Sequence, residues 1–120
     1  MELKDLISRQ REFDERHASK FEWSQRASSE NTQPLLYVAL ALAGEIGELA
    51  NVVKKLERGD ITYEQALVQA EDEAADVLIY LLKLSYQTGI DLEAAFINKQ
   101  RANEVRFAAL AKPHPKHPGL

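Results

Sequence analysis

Ala41-Leu42-Ala43-Gly44-Glu45-Ile46-Gly47-Glu48-Leu49-Ala50-Asn51 and Glu73-Ala74-Ala75-Asp76-Val77-Leu78-Ile79-Tyr80-Leu81 are the two stretches that decide the fold. Each sets a pair of acids three residues apart in an apolar background, E-x-x-E and then E-x-x-D, with 24 residues between Glu48 and Glu73. Positions three apart share one face of a helix, so each pair points both carboxylates the same way. Two such helices packed antiparallel gather four acids into one cluster. Their mutual repulsion is on the order of several kcal/mol at the effective dielectric of a protein, so a compensating charge is required. A divalent cation is the natural candidate.

A solvated polar face is the ordinary explanation of helical acids, and it suits Glu12, Asp14 and Glu15, which stand among other charges. It suits Glu45 and Glu48 poorly. They are the only charged residues between Leu35 and Val53, and their neighbours Leu42, Ile46, Leu49 and Val52 are of the kind that go inside. Burying an unpaired carboxylate is costly. Glu73 and Asp76 likewise run straight into Val77, Leu78, Ile79, Leu81 and Leu82. Carboxylates select hard cations, Mg²⁺ or Mn²⁺, and leave coordination positions for water and a phosphate-bearing substrate. Di-iron chemistry needs Glu-x-x-His on two helices, and none of His17, His114 and His117 lies at helical spacing from these acids.

Around the two stretches the chain reads as helical throughout. Leu3, Leu6, Ile7 and Phe13 make one stripe of an amphipathic helix from Glu2 to about Ser19. Lys20 to Gln33 is a polar loop holding Phe21 and Trp23. Pro34 suits a helical first turn, and the helix it opens runs to Glu57, closed by Arg58-Gly59-Asp60. The apolar run Leu35 to Ala43, at nine residues, is about half a bilayer span and predicts a buried core helix. Thr62 with Gln65 forms a capping box opening a helix to Thr88, with a break allowed near Ala70 and Gly89 as its cap. Asp91 caps a last helix to about Leu110, and Pro113, Pro115 and Pro118 make 112–120 an irregular tail. With no strand-like alternation, the expectation is an all-α, four-helix-bundle-like single domain over 1–111.

With 120 residues, 45% apolar and 28% charged, the composition is that of a globular domain, and the formal charge of −4 offers no field for polymeric nucleic acid. The absence of cysteine removes disulfides and thiolate chemistry. Glu2, Lys4, Asp5 and Arg9 interrupt the first ten residues, unlike a secretory h-region, so a cytoplasmic protein without membrane partners is expected. Leu36, Leu40, Ile46, Leu78, Ile79, Leu81, Leu82 and Leu84 exceed what two helices can hide in one small protomer, which predicts a homodimer.

Together with Lys99 to Phe107, the two acid segments resemble the MazG-like, all-α nucleoside triphosphate pyrophosphohydrolases and their dCTP pyrophosphatase relatives. The resemblance spans about Leu35 to Phe107. The fuller family pattern is E-E-x-x-E followed by E-x-x-D; Gly44 stands at its first Glu, as it does in many dCTP pyrophosphatase-like sequences. The resemblance implies cleavage of a nucleoside triphosphate between the α and β phosphates, Mg²⁺ dependence, and a dimer or dimer of dimers. It implies metal ligands at Glu45, Glu48, Glu73 and Asp76, and nucleotide contacts at Lys99, Asn103 and Arg106. Asp72 is an acid without an assigned role.

A cation held by four acids would neutralise phosphate charge and activate a water, with Glu48 the candidate base. Lys54 and Lys55 could reach phosphate, and Tyr80, four residues after Asp76, could line the pocket. Trp23 could stack on a base, with Phe21 and His17 weaker candidates. Two rivals stand beside this reading. One is a same-fold hydrolase of another pyrophosphate-containing nucleotide such as phosphoribosyl-ATP; the other is a non-enzymatic helical module whose acids bind a basic partner.

Overall fold

The structure, a computed structural model, describes residues 1–18, 22 and 24–112. Those residues form four α-helices: α1 (Leu3–Arg16), α2 (Gln33–Glu57), α3 (Tyr63–Thr88) and α4 (Leu92–Arg106), followed by a 3₁₀ turn at Ala108–Leu110. The fold is all-α, with one isolated bridge between Ser28 and Asn31 in place of any strand among the described residues. The chain divides into two compact units, Met1–Gly89 and Ile90–Leu120.

In the first unit α2 and α3 form the dominant packed pair, and α1 packs on α3. The link between α2 and α3 is short, which makes them antiparallel neighbours. Its punctuation is local chemistry. Gly59 takes φ 80°, a left-handed conformation that glycine adopts without steric cost. Thr62 Oγ1 then accepts from the Gln65 backbone N–H at 3.1 Å while Gln65 Oε1 accepts from the Thr62 N–H at 2.9 Å, the reciprocal capping box. Helix α3 runs unbroken past Ala70, because nothing in 63–88 removes a backbone donor, and it ends at Gly89 with φ 81°. Helix α1 stops at Arg16, earlier than its apolar stripe predicts, with His17 as C-cap.

The core of this unit is small: Val38, Val52, Ala66, Leu82 and Tyr86 are its buried apolar residues. The expectation that Leu35 to Ala43 forms a buried core helix is not met. Leu36 and Leu40 are 56% and 62% exposed, and Ile46 and Val53 are about half exposed. Val38 and Val52 of α2 are buried, while Leu36, Leu40, Ile46 and Val53 of the same helix carry exposed apolar surface. By length and composition α2 could also cross a membrane. Glu45 and Glu48 stand mid-helix, however, and acids at a bilayer centre cost about 3 kcal/mol each.

In the second unit Asp91 Oδ1 accepts from the Ala94 N–H at 3.0 Å to open α4. The helix ends at Arg106, short of Leu110, because 108–110 tighten into the 3₁₀ turn. The proline-rich segment from 113 onward lies outside the described residues.

Candidate metal centre

The turn between α2 and α3 sets the register of the acids. Glu48 and Glu45 stand 10 and 13 residues before Arg58, and Glu73 and Asp76 stand 11 and 14 residues after Thr62. Across an antiparallel pair this levels Glu48 with Glu73 and Glu45 with Asp76. Carboxylate oxygens of Glu45, Glu73 and Asp76 accordingly lie within 4.8 Å of one another, all three residues half-buried. Glu48, the fourth predicted ligand, is exposed and stands outside this group of three, though its carboxyl acts on that of Glu73.

Crowded acids must share protons or acquire a cation. Hydrogen bonding with Glu48, then burial, then the neighbouring Glu45 push the Glu73 carboxyl from its ordinary 4.5 up to about 7. Burial raises Glu45 as well, the charges of Glu48 and Asp76 adding to it and a hydrogen bond with Glu73 opposing it. Even so, Glu45 Oε2 and Glu73 Oε2 are buried without a hydrogen-bond donor. Two buried acceptors left in this state are costly, and a small hard cation satisfies both. The donor set, oxygen throughout, fits Mg²⁺ or Mn²⁺.

Of the clustered acids Glu73 also lines a groove of about 720 Å³ between the second half of α2 and the first half of α3. Glu48, Asn51, Lys55, Asp72 and Glu73 line it, so Lys55 and the previously unassigned Asp72 share its wall. Lys54 is exposed and does not line this groove. Tyr80 does not line this groove. It lines a separate pocket of about 220 Å³, and burial followed by the charges of Glu45, Asp76 and Asp14 raises its phenol above the ordinary range.

The structure also shows polar residues whose role sequence reading missed. Asp14 is not on a solvated face; it is 3% exposed. Its Oδ1 accepts from Gln10 Nε2 at 3.0 Å and pairs with Lys83 Nζ at 3.3 Å, while its Oδ2 accepts from the Tyr86 hydroxyl. The i, i+4 spacing of Gln10 with Asp14 and the i, i+3 spacing of Lys83 with Tyr86 are visible in the sequence. That the two pairs meet across 72 residues is a tertiary fact.

His17 stacks on Phe13, with ring centroids 4.1 Å apart, and its Nδ1 lies 2.7 Å from the Phe13 carbonyl oxygen. Those contacts belong to the end of α1. Trp23 and Phe21 lie outside the described residues, as do His114 and His117. Lys99, Asn103 and Arg106 lie on α4 in the second unit, at spacings of four and three that place them on one face of it. Arg106 sits over the Phe107 ring at 5.0 Å.

Comparison with known proteins finds curated relatives of one kind. The chain is 33% identical to dCTP pyrophosphatase 1 of Rattus norvegicus over 111 residues, and 32% identical to dCTP pyrophosphatase 1 of Homo sapiens over 113 residues. The chain is similar to these dCTP pyrophosphatases. The two alignments take in 88% and 89% of this chain, which spans 58% and 59% of the length of those relatives. No family model matches it, and no solved structure matches it significantly.

Proposed function

We propose that the chain is a Mg²⁺-dependent nucleoside triphosphate pyrophosphohydrolase, cleaving between the α and β phosphates to give a nucleoside monophosphate and pyrophosphate. The observation that carries this reading is the convergence of Glu45, Glu73 and Asp76 with two buried carboxylate oxygens that lack donors. The likeness to two dCTP pyrophosphatases supports the same reaction class. Bound at these acids, the cation supplies charge neutralisation for the polyphosphate and acidifies a water.

The remaining work falls to side chains. Glu45, Glu73 and Asp76 hold the cation, and Glu48, exposed beside Glu73, takes a proton from the attacking water as well as completing the ligand set. Lys55 on the groove wall meets phosphate oxygens; Lys99, Asn103 and Arg106 are nucleotide contacts on the family resemblance alone. Tyr80 borders the nucleoside. The exposed apolar surface of α2, with Leu36, Leu40 and Ile46, supports a homodimer or a dimer of dimers. Free nucleotides in the cytoplasm are the proposed substrates, consistent with removal of unwanted triphosphates from the pool.

The test is product analysis over canonical and modified NTPs and dNTPs, with Mg²⁺, Mn²⁺ or chelator. Metal-dependent pyrophosphate with a monophosphate coproduct, lost in Glu48→Gln and Asp76→Asn variants that remain folded, is the expected result. Orthophosphate as product would place the cut elsewhere. Full activity in both variants would refute the site. Absence of turnover would move phosphoribosyl-ATP, and then a binding module, ahead.

A further inference from the structure

The pocket beyond Tyr80 is built differently from the acid groove. Gln25, Gln33, Tyr37, Tyr80 and Lys83 supply rings, amides and one cation around about 220 Å³, with Glu22 also on the wall. The Gln87 carbonyl ties the loop to the end of α3 by accepting from the Ala27 N–H at 2.8 Å, which fixes one border of the pocket.

Lys83 is the unusual member. Its side chain is only 14% exposed, its Nζ lies 5.2 Å from the Tyr80 ring centroid, and it pairs at 3.3 Å with Asp14, itself 3% exposed. The ammonium is thus anchored by a carboxylate on a different helix and set against the ring that borders the acid cluster. Its charge is balanced by Asp14, and Glu22 adds a negative charge, so this pocket does not suit a phosphate. It suits a neutral planar group with hydrogen-bonding edges. Along α3, Tyr80 and Lys83 stand four and seven residues past Asp76, about 6 and 10 Å at the helical rise. That offset is comparable with the reach from the α-phosphate of a nucleotide to its base.

We propose that this pocket receives the nucleobase and that Lys83, positioned by Asp14 and Tyr80, is a specificity residue donating to an exocyclic carbonyl of that base. The proposal rests on the triphosphate pyrophosphohydrolase reading. An ammonium donates and never accepts, and it can serve more than one acceptor. A base edge with a carbonyl satisfies it; an edge with an amino group at that place does not. Sites that hydrogen-bond a substrate group reject analogues lacking it far more strongly than apolar pockets do. Cytosine, uracil, thymine and guanine nucleotides are therefore favoured over adenine nucleotides.

The experiment measures kcat and KM for a triphosphate of each base with wild type, Lys83→Met, Lys83→Arg and the double variant Asp14→Asn/Lys83→Met, each with its melting temperature. Lys83→Met is expected to raise KM for carbonyl-bearing substrates by roughly 10- to 100-fold, as loss of a charged hydrogen bond implies. The adenine triphosphate should change little, so the base preference flattens, and Lys83→Arg should retain part of that preference. The double variant removes both charges and separates the roles: melting temperature recovers while KM stays raised. If KM recovers together with stability, or if the base ratios are unchanged in Lys83→Met, Lys83 only holds the fold and the proposal is overturned. If wild type turns over no triphosphate, the underlying functional reading fails first.

Discussion

Asp14→Ala should be among the most damaging single substitutions in the first unit. Asp14 is 3% exposed and holds Lys83 Nζ at 3.3 Å, Gln10 Nε2 at 3.0 Å and the Tyr86 hydroxyl. Truncation takes the carboxylate away from an ammonium whose side chain is 14% exposed and from a buried phenol. Breaking a buried ion pair costs about 3–5 kcal/mol. Because Lys83 retains some access to water, the lower end applies, about 3 kcal/mol, or roughly a 12 °C fall in melting temperature for a chain this size. Asp14→Asn keeps an acceptor for Tyr86 while losing the charge, so it should lie between Asp14→Ala and wild type. Urea unfolding followed by circular dichroism gives the free energies, and amide exchange should show that the added opening is concentrated in α1, whose packing partner is α3. A loss below about 1 kcal/mol in Asp14→Ala is what an exposed pair gives, and it would sink the idea that this network fixes α1 on α3.

Mg²⁺ or Mn²⁺ at a hundred times its dissociation constant should stabilise the protein by about 2.7 kcal/mol, and Glu73→Gln or Asp76→Asn should remove that shift in a thermal-melt titration. For the metal-free protein, the Glu73 carboxyl raised from 4.5 to about 7 means that the folded state binds more protons than the unfolded state between those values. Stability therefore falls as pH rises from about 4.5 to 7 and levels off above; melts across pH in chelator should show this slope, and Glu73→Gln should flatten it. Gly89→Ala, at φ 81°, should cost about 1–2 kcal/mol by chemical denaturation. Gly44→Ala, in mid-helix with nothing within 4 Å of the added Cβ, should instead stabilise the protomer by roughly 0.8–1 kcal/mol.

The local features were legible in the sequence because neighbouring residues cause them. Pro34, the Thr62–Gln65 box, Gly89 and the Asp91 cap each act within one helical turn, and the structure places them where the spacing did. The acid pairs belong to the same class: their faces follow from a spacing of three, and a short turn levels them across two helices. Helix ends were less determinate, since Arg16 and Arg106 end helices that apolar spacing would have carried further. Composition made α2 look like a core helix, yet burial depends on what packs against it, and Leu36 and Leu40 stay more than half exposed. Asp14 shows the limit most plainly. In sequence it is one acid among several on a charged helix; only the packing of α1 on α3 excludes water from it and supplies Lys83 and Tyr86. Charge and periodicity along the chain determined where helices form and which acids share a face. Which polar groups lose their water, and what compensates them, was decided by contacts between residues 69 and 72 positions apart.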